Sequence, residues 1–443
     1  MLYFSNMRKV ALFLFLVMTG TGATAQFKNI KLAEQEKDGP PMVEPSIVVN
    51  QKDEKNIIAA YSLDRINYTK DGGATWTETK VTSPYGVYGD VVLESDKKGN
   101  LYFLHLSDPS GEGRSNEAWL DRIVCHQSSD GGKTWDEGHS IGHNPPKDQD
   151  KPWVAIHPRK GNLVATWTQF DQYGLDDPAC QSSILFSSSS NGKKWSKPKQ
   201  LNQNPGDCVD GDNTTEGAVP AIGYDGKIFV TWSNAGTIYL DRSYDDGDTW
   251  LRNDIPIANQ HGGWDMDIPG LSRCNGMPVL KIDNSTGKSS GSLYVLWADQ
   301  KNGEDDTDIW LMRSPNYGDN WTAPYKINQD SAARHQFLPW MTIDQSTGYV
   351  YIVYYDRRNY DDNRTDVYLA YSADGYAFQE IKISESPFTP TPDTFFGDYT
   401  NISANNGIIA PIWTRMDEGK TSIWTTIIKQ EDLIKPEIPA KKK

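Results

Sequence analysis

The sequence has few cysteines, no surplus of basic residues and only one long apolar run. It contains four cysteines in 443 residues (Cys125, Cys180, Cys208 and Cys274), and their spacings are too long for a zinc site. Basic residues number 44 against 59 acidic ones, so the formal net charge is −15. A surface of this charge repels nucleic acids and anionic membranes, and we expect neither as a partner.

The one apolar run lies near the N-terminus. Arg8 and Lys9 precede the run Val10–Met18, and Ala23 and Ala25 offer a small-residue cleavage site. This pattern predicts a signal peptide over residues 1–25 and a secreted or periplasmic protein, without membrane insertion, because the run is too short to span a bilayer. In an oxidising compartment the four cysteines could form one or two disulfides, with three possible pairings.

Helical periodicity is almost absent, and a turn motif is repeated instead. Its fullest copy is Ser128–Trp135 (SSDGGKTW). The other copies are Thr69–Trp76, Ser188–Trp195, Ser243–Trp250, Ser314–Trp321 and Ser372–Phe378. In each copy a short acidic or amide side chain can accept hydrogen bonds from its own turn, and glycine supplies a backbone angle that other residues resist. Such irregularly spaced copies indicate a repeat protein.

Each turn belongs to a longer unit of short alternating strands. The units start at Pro45, Gly89, Pro152, Pro220, Pro278, Pro339 and Gly397. They predict an all-β, seven-bladed β-propeller over residues 26–434, with the repeated turns between strands 3 and 4 of the blades. A six-bladed propeller is the alternative, if one unit is an inserted hairpin. The last unit lacks an outer strand, which we expect Phe27–Leu32 to supply. The Lys-rich end, 435–443, is predicted to be a disordered tail.

Charged residues concentrate in the loops that ring one mouth of the central channel, on the face opposite the repeated turns. Before the innermost strands these residues are Glu44, Asp90, Asp150, Lys151, Glu216, Arg273 and Asp398, and after the second strands they include Arg65, Arg357 and Arg415. Carboxylates there could do acid and base work on a glycosidic bond, and arginines suit an anionic ligand. Ion pairs between blades explain the same residues without any catalysis.

A cluster of hard oxygen ligands in the loop Asp207–Asn213 raises the question of a metal. Asp210 and Asp212 belong to the kind of oxygen set that calcium prefers, so a structural calcium is possible. The loop lacks the twelve-residue EF-hand spacing, and a solvated acidic loop explains it as well. We expect no other cofactor.

The turns resemble the Asp-box, or bacterial neuraminidase repeat, of the sialidase superfamily, from about Pro45 to Trp424. The whole chain is most similar to secreted, sialidase-like bacterial propellers. Sialidases bind the carboxylate of sialic acid with three arginines and use an Asp acid/base and a Tyr nucleophile that a Glu activates. The resemblance implies Asp90 as acid/base, Glu216 as activating base and Tyr399 as nucleophile. It implies that Arg65, Arg273, Arg357 and Arg415 bind the substrate.

Two features depart from that family's pattern. Its Arg-Ile-Pro motif is absent, since Arg65 is followed by Ile66 and Asn67, and sialidases have six blades rather than seven. The expectation is a secreted, sialidase-like glycoside hydrolase whose partner is an acidic glycan or glycoconjugate. One alternative is a propeller that binds glycan or protein without catalysis. Another is a hydrolase or lyase of a different polysaccharide, with Trp153, Trp264 and Trp340 stacking on sugar rings.

Overall fold

The computed structural model describes residues 27–116, 118–331 and 333–434. The predicted signal peptide and the Lys-rich tail lie outside these described residues. Within them, β-strands dominate, beside the short helix α1 (Gln430–Leu433) and a 3₁₀ turn at Gly113–Ser115. No helix of the described part is long and apolar enough to cross a membrane. The strands form seven sheets, which confirms the all-β, seven-bladed propeller.

The first strand, β1 (Ile30–Glu34), belongs to the last blade. Blades 1 and 2 contain β2 (Ser46–Val49), β3 (Ile57–Tyr61), β4 (Arg65–Thr69), β5 (Thr77–Lys80), β6 (Val92–Ser95), β7 (Leu101–Leu106), β8 (Ile123–Ser128) and β9 (His139–Ile141). Blades 3 and 4 contain β10 (Asp148–Ile156), β11 (Leu163–Phe170), β12 (Ser182–Ser189), β13 (Lys199–Gln200), β14 (Glu216–Ile222), β15 (Ile228–Asn234), β16 (Thr237–Ser243) and β17 (Ile255–Asn259).

Blades 5 and 6 contain β18 (Val279–Ile282), β19 (Leu293–Asp299), β20 (Asp308–Ser314), β21 (Tyr325–Lys326), β22 (Gln336–Ile343), β23 (Val350–Asp356), β24 (Asp366–Ser372) and β25 (Gln379–Lys382). Blade 7 contains β26 (Asn401–Asn405), β27 (Ile408–Asp417), β28 (Lys420–Thr425), the short β29 (Ile428–Lys429) and β1. All pairings of neighbouring strands in the blades are antiparallel.

The second strands of the blades form the core between neighbouring sheets. Strands such as β3 (IIAAY) and β23 (VYIVYYD) are buried at every residue. Because each of these strands is covered on both faces by the adjacent blades, its sequence is almost continuously apolar instead of alternating. Burial of each large aliphatic or aromatic side chain contributes about 1.5–3 kcal/mol, so these strands hold the ring together.

The ring is closed by the N-terminal segment, as predicted. Strand β1 pairs antiparallel with β28, with Ile30 opposite Thr425 and Glu34 opposite Ser422. The strand starts three residues later than the predicted Phe27–Leu32 and extends to Glu34. At the channel, the Val49 amide donates to Ser403 Oγ at 3.0 Å, which joins blade 1 to blade 7. The outermost and innermost strands therefore both take part in the closure.

The repeated turns are built by local hydrogen bonds and close packing. Asp245 accepts hydrogen bonds from the Thr249 amide at 2.8 Å and the Thr249 hydroxyl at 2.6 Å, and these bonds lower the pKa of Asp245 to about 2. Gly247 has a φ of +90°, and a Cβ there would lie 2.5 Å from the ring of Phe186 in blade 3. Each of these residues serves the turn and its contact with the preceding blade.

Candidate active site at the channel mouth

Backbone strain marks the point where the chain enters several inner strands. Glu44, Asp90 and Lys151 have φ values of +54°, +46° and +45°, and Gly217 in blade 4 has +73°. Residues with a Cβ rarely adopt this left-handed backbone conformation, which costs them about 1–3 kcal/mol each. Strand β10 is also irregular between Asp150 and Trp153, where its pairing with β11 shifts. These strained residues meet one another at the channel mouth.

Lys151 lies at the centre of this mouth. Its Nζ is 3.0 Å from Asp398 Oδ2, and it is 3.9 Å from both Asp150 Oδ2 and Glu216 Oε1. The side chain of Lys151 is only 3% exposed. A buried ammonium is stable only when carboxylates and hydrogen bonds compensate for its lost hydration, and three carboxyl groups surround this one.

Arg273 is the second cation of the mouth. Its Nε donates to Asp398 Oδ1 at 2.8 Å, and its Nη1 donates to Asp210 Oδ2 at 2.8 Å. Asp210 also accepts hydrogen bonds from the Tyr173 hydroxyl at 2.6 Å and from Trp264 Nε1 at 3.2 Å. The guanidinium therefore bridges two carboxylates that come from different blades.

These contacts define a mouth cluster of six carboxyl groups and two cations. Its members are Glu44, Asp90, Asp150, Lys151, Asp210, Glu216, Arg273 and Asp398. Burial would raise the pKa of Asp398 and Asp210, but Lys151 and Arg273 outweigh burial and keep both pKa values below the ordinary range. Burial instead raises the pKa of Asp150 and of Glu216 well above the ordinary values. The cluster thus contains neighbouring carboxyl groups whose pKa values are shifted in opposite directions.

Glu44 is a half-buried member of the cluster. Its Oε1 accepts a hydrogen bond from the Asp398 amide at 3.3 Å. Burial and the neighbouring negative charge of Asp398 raise the pKa of Glu44 to about 7. A carboxyl group with this pKa can hold a proton or release it near neutral pH, as general acid catalysis requires.

Tyr399 belongs to a layer of aromatic rings beneath the cluster. Its hydroxyl donates to Asp90 Oδ1 at 3.1 Å, and burial raises its pKa well above the ordinary value. Its ring lies 5.2 Å from that of Trp153, which lies 4.3 Å from that of Trp340. We call Trp153, Trp340 and Tyr399 the aromatic layer.

The implied pairing of Tyr399 with Glu216 is not among the hydrogen bonds of the described residues. Asp90 takes the place of Glu216 as the partner of the phenol. The carboxyl group of Glu216 is buried, forms a side-chain hydrogen bond with Asp210 and lies 3.9 Å from Lys151 Nζ. Tyr399 thus donates its phenol hydrogen to a carboxyl group other than the implied one, and its role as nucleophile stays a prediction.

Of the four arginines expected to bind substrate, only Arg273 lies in the mouth cluster. Arg65 begins strand β4 and forms an ion pair with Glu36. Arg415 forms an ion pair with Asp417 and donates to the Ser386 carbonyl at 3.0 Å. Each of these two arginines is thus held by groups of its own neighbourhood.

Arg357 follows the second strand of blade 6, as expected, but its side chain is bound elsewhere. Nη1 donates to the Pro269 carbonyl at 2.6 Å, and Nε donates to Thr365 Oγ1 at 3.1 Å. Burial lowers the pKa of Arg357 to about 10. The structure does not bring the four arginines together around one point, because each guanidinium is bound by a different loop.

The loop that carries Asp210 is tied by a disulfide between Cys180 and Cys208, whose Cα atoms are 5.8 Å apart. It is one disulfide of the one or two expected, and the thiols of Cys125 and Cys274 are free and buried. Asp212 accepts a hydrogen bond from the Asp265 amide at 2.9 Å. In the described ranges, no group of three or more His, Cys, Asp and Glu residues is arranged to hold a metal ion.

Sequence reasoning assigned no roles to Glu44, Asp150, Lys151 and Asp398, although it placed all four at the mouth. The sequence signal for these four residues was that each lies just before the innermost strand of its blade. Tyr173, which binds Asp210, lies in the loop after β11, and no sequence pattern distinguishes it from the other tyrosines.

No protein-family model matches the chain, and no curated protein matches it. Among solved structures, an α-L-arabinofuranosidase of family GH93 from Fusarium graminearum aligns with a TM-score of 0.51 and 13% identity, over 92% of this chain and 99% of that chain. The NanB sialidase from Streptococcus pneumoniae aligns with a TM-score of 0.45 and 12% identity, over 92% of this chain and 71% of that chain. Identities this low show the fold alone. The chain shares a β-propeller fold with this arabinofuranosidase, and its seven sheets confirm the predicted propeller.

Proposed function

We propose that this chain is a glycoside hydrolase whose reaction takes place at the mouth cluster. The observation that carries the proposal is the convergence of six carboxyl groups on Lys151 and Arg273, from loops far apart in sequence. Hydrolysis of a glycosidic bond needs one carboxyl group that donates a proton and one that stays ionised. The fold likeness to an arabinofuranosidase supports the same class of reaction.

Glu44 is the proposed proton donor. It is half-buried, its pKa is raised to about 7, and it can give its proton to the oxygen of the leaving group. Asp90, the acid implied by the resemblance, is more deeply buried and already accepts the hydroxyl of Tyr399. The contacts therefore favour Glu44 over Asp90, and the roles of Asp90, Glu216 and Tyr399 stay predictions.

Asp210 is the proposed ionised partner. Arg273 and Lys151 hold its pKa below the ordinary value, so it remains negative while Glu44 carries a proton. A fixed carboxylate stabilises the positive charge that develops on the sugar ring as the glycosidic bond breaks. The pair Arg273–Asp398 lies between the two carboxyl groups and fixes both, through the Asp398 amide on one side and the guanidinium on the other.

We propose an uncharged glycan as the substrate. Arg273, the arginine of the cluster, is already paired with Asp398 and Asp210, so an anionic sugar would have to displace one of them. Arg65, Arg357 and Arg415 have their own partners in other loops. None of the four arginines implied by the resemblance thus offers a free guanidinium to sialic acid. A glycan outside the cell would fit the predicted export of the chain.

The test is hydrolysis of two fluorogenic substrates by the purified chain, a 4-methylumbelliferyl α-L-arabinofuranoside and the corresponding α-N-acetylneuraminide. We expect turnover of the neutral substrate and none of the sialoside. Turnover of the sialoside alone would replace the uncharged glycan with an acidic one. If a folded chain hydrolyses neither these substrates nor a panel of other neutral glycosides, the hydrolase proposal fails, and a binding propeller becomes the better account.

A further inference from the structure

The other end of the central channel forms a cavity. Its volume is about 600 Å³, and its walls are the inner strands of all seven blades and the loops that join them to the second strands. Trp153 and Trp340 close it towards the mouth, while the cluster residues Glu44, Asp90 and Asp398 are absent from its lining. Small-molecule sites typically have volumes of about 300–1,000 Å³. The aromatic layer thus divides the channel into two compartments.

Two opposite charges face each other inside this cavity. Glu94 lies on β6 and Lys281 on β18, in blades on opposite sides of the ring. Neither forms an ion pair within 4.0 Å with a residue of the described ranges. Lys281 Nζ lies 5.9 Å from the centre of the Trp340 ring. Burial without a close counter-ion lowers the pKa of Lys281 and raises that of Glu94, so both groups gain from a polar ligand between them.

The rim of this cavity is basic, although the chain is acidic overall. Its exposed cations are Lys97, Lys98 and Arg159, together with Lys160, which is paired with Asp246. Tyr224 is 44% exposed, and its ring lies between Lys97 at 5.1 Å and Arg159 at 5.4 Å. Besides Glu94, the acidic lining residue is Asp96, whose carboxylate already accepts the amides of Lys98 and Asn100 at 2.9 Å. The rim therefore attracts anions.

We propose that this cavity binds a small anionic sugar, whose charged group pairs with Lys281 and whose hydroxyl groups donate to Glu94. The basic rim attracts anions to the cavity. Lys281, inside the cavity, pairs with one negative charge of the ligand, and Glu94 repels a second negative charge at the far end of the ligand. The site lies on the far side of the aromatic layer from the mouth cluster, so it does not depend on the proposed hydrolase.

The test is isothermal titration of the full chain with D-glucuronate, D-glucose 6-phosphate and uncharged D-glucose. We expect at least one anionic sugar to bind, and glucose to bind at least about tenfold more weakly. The two anions distinguish a carboxylate from a phosphate as the preferred charge. Lys281→Met should weaken binding at least about tenfold, while Lys133→Met, at an exposed turn, should leave it unchanged.

A rim variant keeps the proposal testable if Lys281→Met does not fold. Lys98 is exposed, and Lys98→Gln should weaken binding of the same sugar about two- to fivefold and reduce its dependence on salt. Failure of both anionic sugars to bind to the folded parent chain would overturn the proposal. So would unchanged affinity in folded Lys281→Met, or in Lys98→Gln when Lys281→Met is unfolded.

Discussion

The two ends of the central channel use charge in opposite ways. At the mouth, Lys151 and Arg273 are in direct contact with carboxylates, at 3.0 Å and 2.8 Å from Asp398. At the other end, Glu94 and Lys281 face each other without an ion pair inside a cavity of about 600 Å³. Paired charges hold each other in fixed positions, whereas separated charges leave room for a ligand.

The aromatic layer makes this difference possible. Trp153 and Trp340 are 4% and 2% exposed and stack in the channel between the two compartments. Because these rings exclude water, the charges on each side of the layer interact strongly with the charged groups next to them. Each compartment can therefore keep its own set of protonation states.

The largest expected effect is on catalysis at the mouth. Glu44→Gln removes the proposed proton donor and should lower kcat/KM for a neutral glycoside about 100- to 10,000-fold. In the parent chain, kcat/KM should fall as the pH rises above about 7, because Glu44 then loses its proton. Glu137→Gln, at an exposed position, is the matched control. Full activity of Glu44→Gln would assign proton donation to another carboxyl group.

The next effect is on stability. Lys151→Met leaves Arg273 as the remaining cation beside the buried Asp398, and removing one partner of a buried ion pair costs about 3–5 kcal/mol in the free energy of unfolding. Lys160→Met breaks the exposed pair with Asp246 and should cost less than about 1 kcal/mol. Urea unfolding measures both variants. Similar losses in the two variants would mean that the mouth cluster is no more tightly coupled than a surface pair.

The repeated turns lie at the basic end, and we expect them to stabilise the fold without taking part in binding or catalysis. Gly247→Ala places a Cβ 2.5 Å from Phe186 and should cost about 1–3 kcal/mol of stability. Gly72→Ala has no atom within 4 Å of the added Cβ and should cost less. Thermal unfolding compares the two, and hydrolysis per folded molecule should stay unchanged in both. A loss of activity in folded Gly247→Ala would connect the turns to the mouth.

The smallest effect is a change in the pH dependence of stability. Glu44 has a folded-state pKa of about 7 against an ordinary 4.5, so its contribution is fully present below pH 4.5 and is lost as the pH rises through 7. The unfolding free energy of Glu44→Gln should therefore decline less between these pH values than that of the parent. Urea titrations at several pH values measure the two slopes. Equal slopes would show that Glu44 is not protonated in the fold.

The fold could be predicted because its signals are local. The turn around Asp245 depends on residues within four positions of Asp245, and the missing outer strand of blade 7 pointed to the segment at Phe27–Leu32. Likewise, the position of Asp90 and Glu216 before their inner strands predicted the mouth to which they contribute.

The contacts within the site could not be predicted, because they join distant residues. Tyr399 is bound to Asp90, 309 positions away, and Arg273 to Asp398, 125 positions away. Arg357 follows a second strand as expected, yet the carbonyl of Pro269 in another loop holds its guanidinium. Glu94 and Lys281 lie within apolar strands that read as core, so the second cavity has no signal in the sequence.

An anion soak tests whether the cations at the mouth are paired and those at the other end of the channel are free to bind an anion. Crystals of the chain soaked in bromide should show anomalous peaks at the basic end, beside Lys281 and the rim cations, and none at Arg273. This result follows because the guanidinium of Arg273 is already paired with Asp398 and Asp210, whereas Lys281 has no ion-pair partner within 4.0 Å among the described residues. A bromide bound at Arg273, with none near Lys281, would contradict the assignment of the two ends and would favour an acidic substrate at the mouth.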